Sequence, residues 1–185
     1  MWRYKWGYDV QDREVLNHNT VIAIHQDDHK EVLVMGKGVG FGRKVAERIE
    51  VRPEDRLYSL QKYKERGGAK EIVKSIAPEF LELTNAVLNE AEKVFGKIDR
   101  MVLFPLADHI AFAVKRIQNH EQISNPLTED IRVLFHMEFK VAESIRPLLK
   151  KQFQIDIEDD EIGYVALHIH SAIEDEKVSQ AMQMA

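Results

Sequence analysis

Two runs near the N-terminus carry the apolar density of strands. They are Thr20-Val21-Ile22-Ala23-Ile24-His25 and Glu31-Val32-Leu33-Val34-Met35, rich in β-branched residues and separated by the polar turn Gln26-Asp27-Asp28-His29-Lys30. With Glu14-Val15-Leu16 before them and Lys44 to Ile49 after, the pattern predicts four short antiparallel strands. Val51 to Asp55 breaks that pattern, and Glu65-Arg66-Gly67-Gly68 marks a joint. Beyond it the period becomes helical. Phe80, Leu83, Val87, Ala91 and Val94 recur at three- and four-residue steps, as do Leu103, Leu106, Ile110, Ala113 and Ile117. A third helix is expected from about Pro126 to Lys150, with Ile131, Phe135, Phe139, Ala142, Ile145 and Leu149 on one stripe and Asn125-Pro126 as cap and first-turn proline. A fourth opens at Asp159-Asp160-Glu161, acids that suit the positive end of a helix dipole, and buries Ile162, Val165, Ile169 and Ala172. The fold class is therefore α+β, a small four-stranded antiparallel sheet followed by an all-α bundle. The expected division is a β domain over 1–60 with an aromatic-rich extension at 1–12, a linker at 61–68, a helical domain over 69–175, and the start of a further linker at 176–185.

Between the third and fourth predicted strands lies Gly36-Lys37-Gly38-Val39-Gly40-Phe41-Gly42-Arg43-Lys44. Four glycines in seven residues exclude a helix, since each costs about 1 kcal/mol there relative to alanine. The stretch reads as a bare-backbone loop that lets another chain approach closely and carries one aromatic and several cations. It is not a dinucleotide fingerprint, because the third glycine is replaced by Phe41 or Arg43 at the required spacing. Nor is it a phosphate loop, because Gly38 follows Lys37 where Ser or Thr is required. A glycine-rich hairpin that merely turns the chain fits the spacing equally well.

The 185 residues are 44% apolar, enough for a real core. Fifty residues of sheet bury little, so the β domain is expected to need a second copy against it, and a homodimer follows. Net charge is −5, which argues against a protein that coats nucleic acid indiscriminately. Residues 1–55 hold nine Lys/Arg against ten Asp/Glu, so any affinity for a polyanion must come from the local cluster Lys37, Arg43, Lys44 and Arg48. No cysteine is present, no apolar run approaches the roughly 18 residues of a membrane span, and Met1 to Trp6 lacks a signal-peptide core. The expected location is cytoplasmic, with no cofactor and no metal. The tail from Glu174 stops without a breaker, as though cut inside a linker.

Of eight histidines, His109 and His168 stand out, each beside the apolar stripe of its helix. On the residues alone each is a half-buried ring satisfied by a neighbour. His168 and His170 are two apart and diverge on a helix, so they do not make a metal pair. No Ser or Cys nucleophile accompanies them in a recognisable arrangement, and no enzymatic activity is expected.

The run Val34 to Lys44, preceded by Val15-Leu16-Asn17-His18-Asn19, resembles the small RNA-binding domain of BglG-type transcriptional antiterminators, bacterial regulators of sugar operons. The segments Asn125 to Arg132 and Asp159 to Ile169 resemble the phosphotransferase-system regulation domain of the same family. The resemblance implies an antiterminator that binds an RNA hairpin as a dimer, with Asn19, Gly36, Lys37 and Phe41 at the RNA. Phe41 would stack on a base; Arg43 or Lys44, which the resemblance does not assign, would neutralise phosphate by their charge alone. It also implies that His109 and His168 accept phosphate from phosphotransferase-system proteins, a chemistry that suits imidazole because it is nucleophilic near neutral pH. The remaining histidines match no family phosphosite.

Two departures from the family accompany this likeness. Only one regulation domain fits where two are usual; the first of the two is typically inhibitory when phosphorylated. Glu14 stands where a lysine is common and His18 where an asparagine is frequent, and an acid facing phosphate weakens RNA binding. The alternative reading is therefore a phosphorylation-sensing interaction module that has lost RNA binding.

Overall fold

The computed structural model describes residues 10–43, 47–60, 69–121 and 123–173. The chain divides into two compact units, Met1–Glu82 and Leu83–Ala185. The linker expected at 61–68 lies outside the described residues.

The first unit is built on an antiparallel sheet of β1 (Val10–Asn17), β2 (Thr20–His25), β3 (Glu31–Met35) and β4 (Arg56–Ser59), in that spatial order. Pairing runs from Thr20↔Met35 to Ile24↔Glu31 between β2 and β3, and from Val32↔Ser59 to Met35↔Arg56 between β3 and β4. Every residue of β3 is buried, so both faces of the central strand are covered. Strand alternation places Val21, Ala23, Val32 and Val34 in one cluster, which Val39 and Ile49 enter from the loop between β3 and β4. Among the described residues the fourth strand of the sheet is therefore Arg56–Ser59, and not the Lys44–Ile49 run expected for it. Residues 44–46 lie outside the described residues, while Ile49, only 1% exposed, plugs the core from an irregular segment. Its burial accounts for the apolar signal without a ladder. The true β4 follows the turn closed by Asp55 N–H on the Arg52 carbonyl at 3.0 Å, and it was hidden by its length of four residues. Helix α1 (Ala69–Ser75) carries Lys70, whose Nζ lies 2.8 Å from Glu31 at the start of β3.

Helix α2 (Pro78–Phe95) contains the point where the two units divide. It is followed by a 3-10 turn at Arg100–Val102, α3 (Leu103–Gln118), α4 (Thr128–Leu134), α5 (His136–Ala142), α6 (Ile145–Phe153) and α7 (Asp159–Ala172). Leu83, Val87 and Ala91 of the first stripe are buried, but Val94 is 45% exposed. Leu103, Leu106, Ile110 and Ala113 of α3 are buried, as are all four residues expected for α7.

The single helix expected from Pro126 to Lys150 is instead three segments. Pro147 has no N–H for the carbonyl of Glu143, and that carbonyl accepts from Arg146 N at 3.0 Å instead. The chain breaks one turn before the proline. A second break falls at Phe135, whose φ of −122° and ψ of 48° are not helical. Nor is Pro126 a first-turn proline: the helix begins two residues later, at Thr128. Asn125 precedes it as a buried Asx turn, with Oδ1 accepting from Leu127 N at 3.0 Å and Nδ2 donating to the Asp160 carbonyl at 3.3 Å.

Candidate functional site

In the first unit the loop after β3 folds as consecutive tight turns. Val39 N donates to the Gly36 carbonyl at 3.1 Å, Phe41 N to Gly38 at 3.0 Å, and Arg43 N to Gly40 at 3.4 Å. The β1–β2 turn holds this loop in place. Asn19 Oδ1 accepts from Gly38 N at 2.8 Å, the Asn19 carbonyl from Gly36 N at 3.0 Å, and the His18 carbonyl from Gly40 N at 2.8 Å. Two glycines are required by close approach. A Cβ on Gly36 would stand 1.8 Å from Asp55 Oδ1, and one on Gly40 would stand 2.2 Å from the Asn17 carbonyl.

Behind the loop lies a clamp that the sequence reading missed. The Asp55 carboxylate is fully buried and accepts from Arg52 N at 2.8 Å, Nε at 3.2 Å and Nη2 at 2.9 Å, while Arg52 Nη2 also donates to the Lys37 carbonyl. The hydrogen bond with Asp55 raises the Arg52 guanidinium above its ordinary value against the cost of burial.

On this base Phe41 is 69% exposed, its ring edge-on to His18 at 5.2 Å between centroids. Lys37 is exposed beside it. Gly36, Lys37 and Phe41 thus share one loop, and Asn19 joins them from the β1–β2 turn that pins it. Arg43 behaves differently: it folds back to donate to the Arg48 carbonyl at 3.2 Å and lies 3.9 Å from Glu47. Lys44 lies outside the described residues, and Glu14 is exposed on β1. An uncovered aromatic, a cation and a fixed backbone can stack a base and contact a sugar-phosphate chain.

In the second unit α3 and α7 bring His109 and His168 together, with ring centroids 5.4 Å apart and tilted by 45°. Tyr164 packs at 5.7 Å from His109. His109 Nε2 is 3.1 Å from Glu161 Oε2, and Arg116 Nη2 donates to Glu161 Oε1 at 2.7 Å. Burial favours the neutral acid at Glu161, but the hydrogen bonds from His109 and Arg116 outweigh it and hold the carboxyl below its usual range. A carboxylate only accepts, so neutral His109 carries its proton on Nε2. His168 is pushed down to about 4, first by burial and second by the charge of His109. The ring is neutral at physiological pH, with a lone pair available.

Arg116 and Glu161 were also missed as partners of this pair. The signal was present in the spacing. His109 and Arg116 are seven apart on α3, Glu161 and His168 seven apart on α7, and each pair shares a helix face. A cleft of about 220 Å³ opens beside Glu161, lined by Ile117, His120, Glu121, Ile123, Asp156 and Glu158. Its carboxylates disfavour an anionic small molecule.

Residues 13–67 match the family described as CAT RNA binding domain, and residues 81–172 match the PRD domain family. A relative from Staphylococcus carnosus (strain TM300), the GlcA/glcB genes antiterminator, is 31% identical over 167 residues, covering 88% of this chain and 57% of the relative. Protein GlcT of Staphylococcus aureus (strain Newman) is 29% identical over 165 residues, covering 88% of this chain and 58% of the relative. The chain thus spans less than two thirds of the length of these relatives. The crystal structure of GlcT CAT-PRDI superposes with a TM-score of 0.75 at 30% identity, over 90% of this chain and 99% of that one. With both domain matches in chain order and a solved relative of the same make-up, this chain belongs to the BglG-type antiterminator family, a CAT RNA-binding domain followed by a PRD domain.

Proposed function

We propose that this protein is an RNA-binding antiterminator of a sugar-utilisation operon. As a dimer it grips a hairpin whose formation excludes an overlapping terminator, and phosphorylation of its PRD domain by the sugar phosphotransferase system governs that grip. The observation that carries the reading is Phe41, 69% exposed on a loop whose backbone is fixed by Asn19 and by the Arg52–Asp55 clamp. A large aromatic held in water on a rigid loop suits stacking on an unpaired base. Asn19, Gly36 and Lys37 supply a donor, a close backbone and a cation around it. Arg43, tied to its own loop, contributes through the general field. The small sheet supports the dimer, since a second copy supplies the core that fifty residues lack.

His109 and His168 are the phosphoacceptors in this reading, because both rings share one half-buried cluster and His168 is neutral. A second reading, a phosphosensor without RNA, is favoured by the exposed acid Glu14. A gel shift of the full chain with a bulged RNA hairpin separates the two. Phe41→Ala is expected to weaken binding by about 1–3 kcal/mol. Absence of any shift with the unaltered chain supports the second reading; equal affinity of a folded Phe41→Ala variant removes the stacking role.

A further inference from the structure

His109 and His168 stand with their ring centroids 5.4 Å apart, and Glu161 lies 3.1 Å from His109 Nε2. Each phosphoryl group adds about −1.5 to −2 charges near neutral pH. The cluster already holds one carboxylate. Among the described residues, Arg116 is the cation bonded into it, and at present it is held by Glu161 at 2.7 Å. His168 is already sensitive to its neighbour: after burial, the charge of His109 is the second cause that pushes it down.

We propose that His109 and His168 form a single phosphoryl site, which takes one group per PRD domain on either ring in preference to both, with Arg116 as the cation that turns to hold it. The proposal rests on the phosphoacceptor reading given above. Two groups of about −1.5 charges at the 5.4 Å ring separation disfavour the doubly modified form on the order of tenfold even at the dielectric of water. A half-buried cluster screens less, and the penalty grows. A phosphoryl group arriving beside Glu161 competes with that carboxylate for Arg116. The guanidinium has a donor to spare, since its Nε is buried without a partner, and its planar fork suits a phosphate. The domain thus reports one bit, phosphorylated or not, whichever ring carries the group.

The test uses the full chain and phosphoramidate, whose P–N bond breaks as a ring nitrogen of the imidazole bonds phosphorus and ammonia leaves with the ring proton, followed by intact-mass counting of phosphoryl adducts. The unaltered chain is compared with His109→Gln, His168→Gln and the double variant, whose adducts count the other histidines. The expected result is that the unaltered chain and each single variant exceed the double variant by one adduct. An excess of two in the unaltered chain overturns the proposal. No excess in any of them removes the phosphoacceptor reading itself, and the proposal with it. Phosphorus NMR of the unaltered chain gives the same count without relying on the single variants, as signals missing from the double variant that integrate to one group per chain. Arg116→Gln is expected to shorten the lifetime of that adduct about tenfold, the weight of a charge-assisted hydrogen bond, with partial recovery in Arg116→Lys. An unchanged lifetime in Arg116→Gln removes Arg116 from the site.

Discussion

The two histidines of the pair differ in their surroundings, and the difference is measurable. His109 is held by Glu161, whereas His168 is pushed down from 6.5 to about 4 by burial and by its neighbour. In the unfolded chain His168 takes a proton near 6.5, but in the folded chain it does so only near 4. The unfolded state therefore binds more protons between those values, and stability falls as pH drops from about 6.5 to about 4, then levels off. After allowance for partial exposure the loss is on the order of 1–3 kcal/mol. Glu161, depressed below 4.5, adds a loss of the same sign as pH falls through its folded value. Thermal melts of the full chain are expected to show the decline, and His168→Gln to flatten the part above pH 4.5. A slope unaltered in that variant would assign it to other groups.

At the scale of elements, the glycine loop owes its shape to the Arg52–Asp55 clamp and the Asn19 side chain as well as to the close approaches at Gly36 and Gly40. Removing the Arg52 side chain leaves a fully buried carboxylate with the Arg52 main-chain N–H as its remaining donor in the clamp. Arg52→Ala is expected to cost about 1–3 kcal/mol of stability and to loosen RNA binding through the loop, read by urea midpoint and gel shift together. Unchanged RNA affinity at reduced stability would show that the loop keeps its shape without the clamp. Legibility followed the same division. Strands β2 and β3 and helices α3 and α7 were readable because their apolar periods are long and uninterrupted. The fourth strand was misplaced because Ile49 is buried without pairing, which periodicity cannot distinguish from a ladder. The long third helix was over-joined because one stripe continues through Pro147, and a shared face does not require a shared hydrogen-bond ladder. His109 and His168 stood out by their places beside the apolar stripes, with a role only by resemblance, and Arg116 and Glu161 needed the fold to bring α3 and α7 together.

For the whole molecule, charge sets the direction of control. Residues 56–185 hold 17 Lys/Arg against 21 Asp/Glu, so a new phosphate finds few spare cations. In a symmetric dimer each added charge appears twice. Phosphorylation at the pair, or His109→Asp as a partial mimic beside Glu161, is expected to weaken the dimer and with it RNA affinity. Sedimentation of the full chain at matched concentrations checks this, and a dimer that tightens would make the modification activating. The RNA it grips is constrained by one bond of the loop. Asn19 spends its side-chain oxygen on Gly38 N–H, so what its side chain has left to offer is the two amide hydrogens of Nδ2. At that position the protein speaks only as a giver of hydrogen bonds. If Asn19 touches the RNA as proposed, a base offering a ring nitrogen or a carbonyl there would be favoured over one that turns its exocyclic amine to the loop, because the accepting half of the amide is already in use.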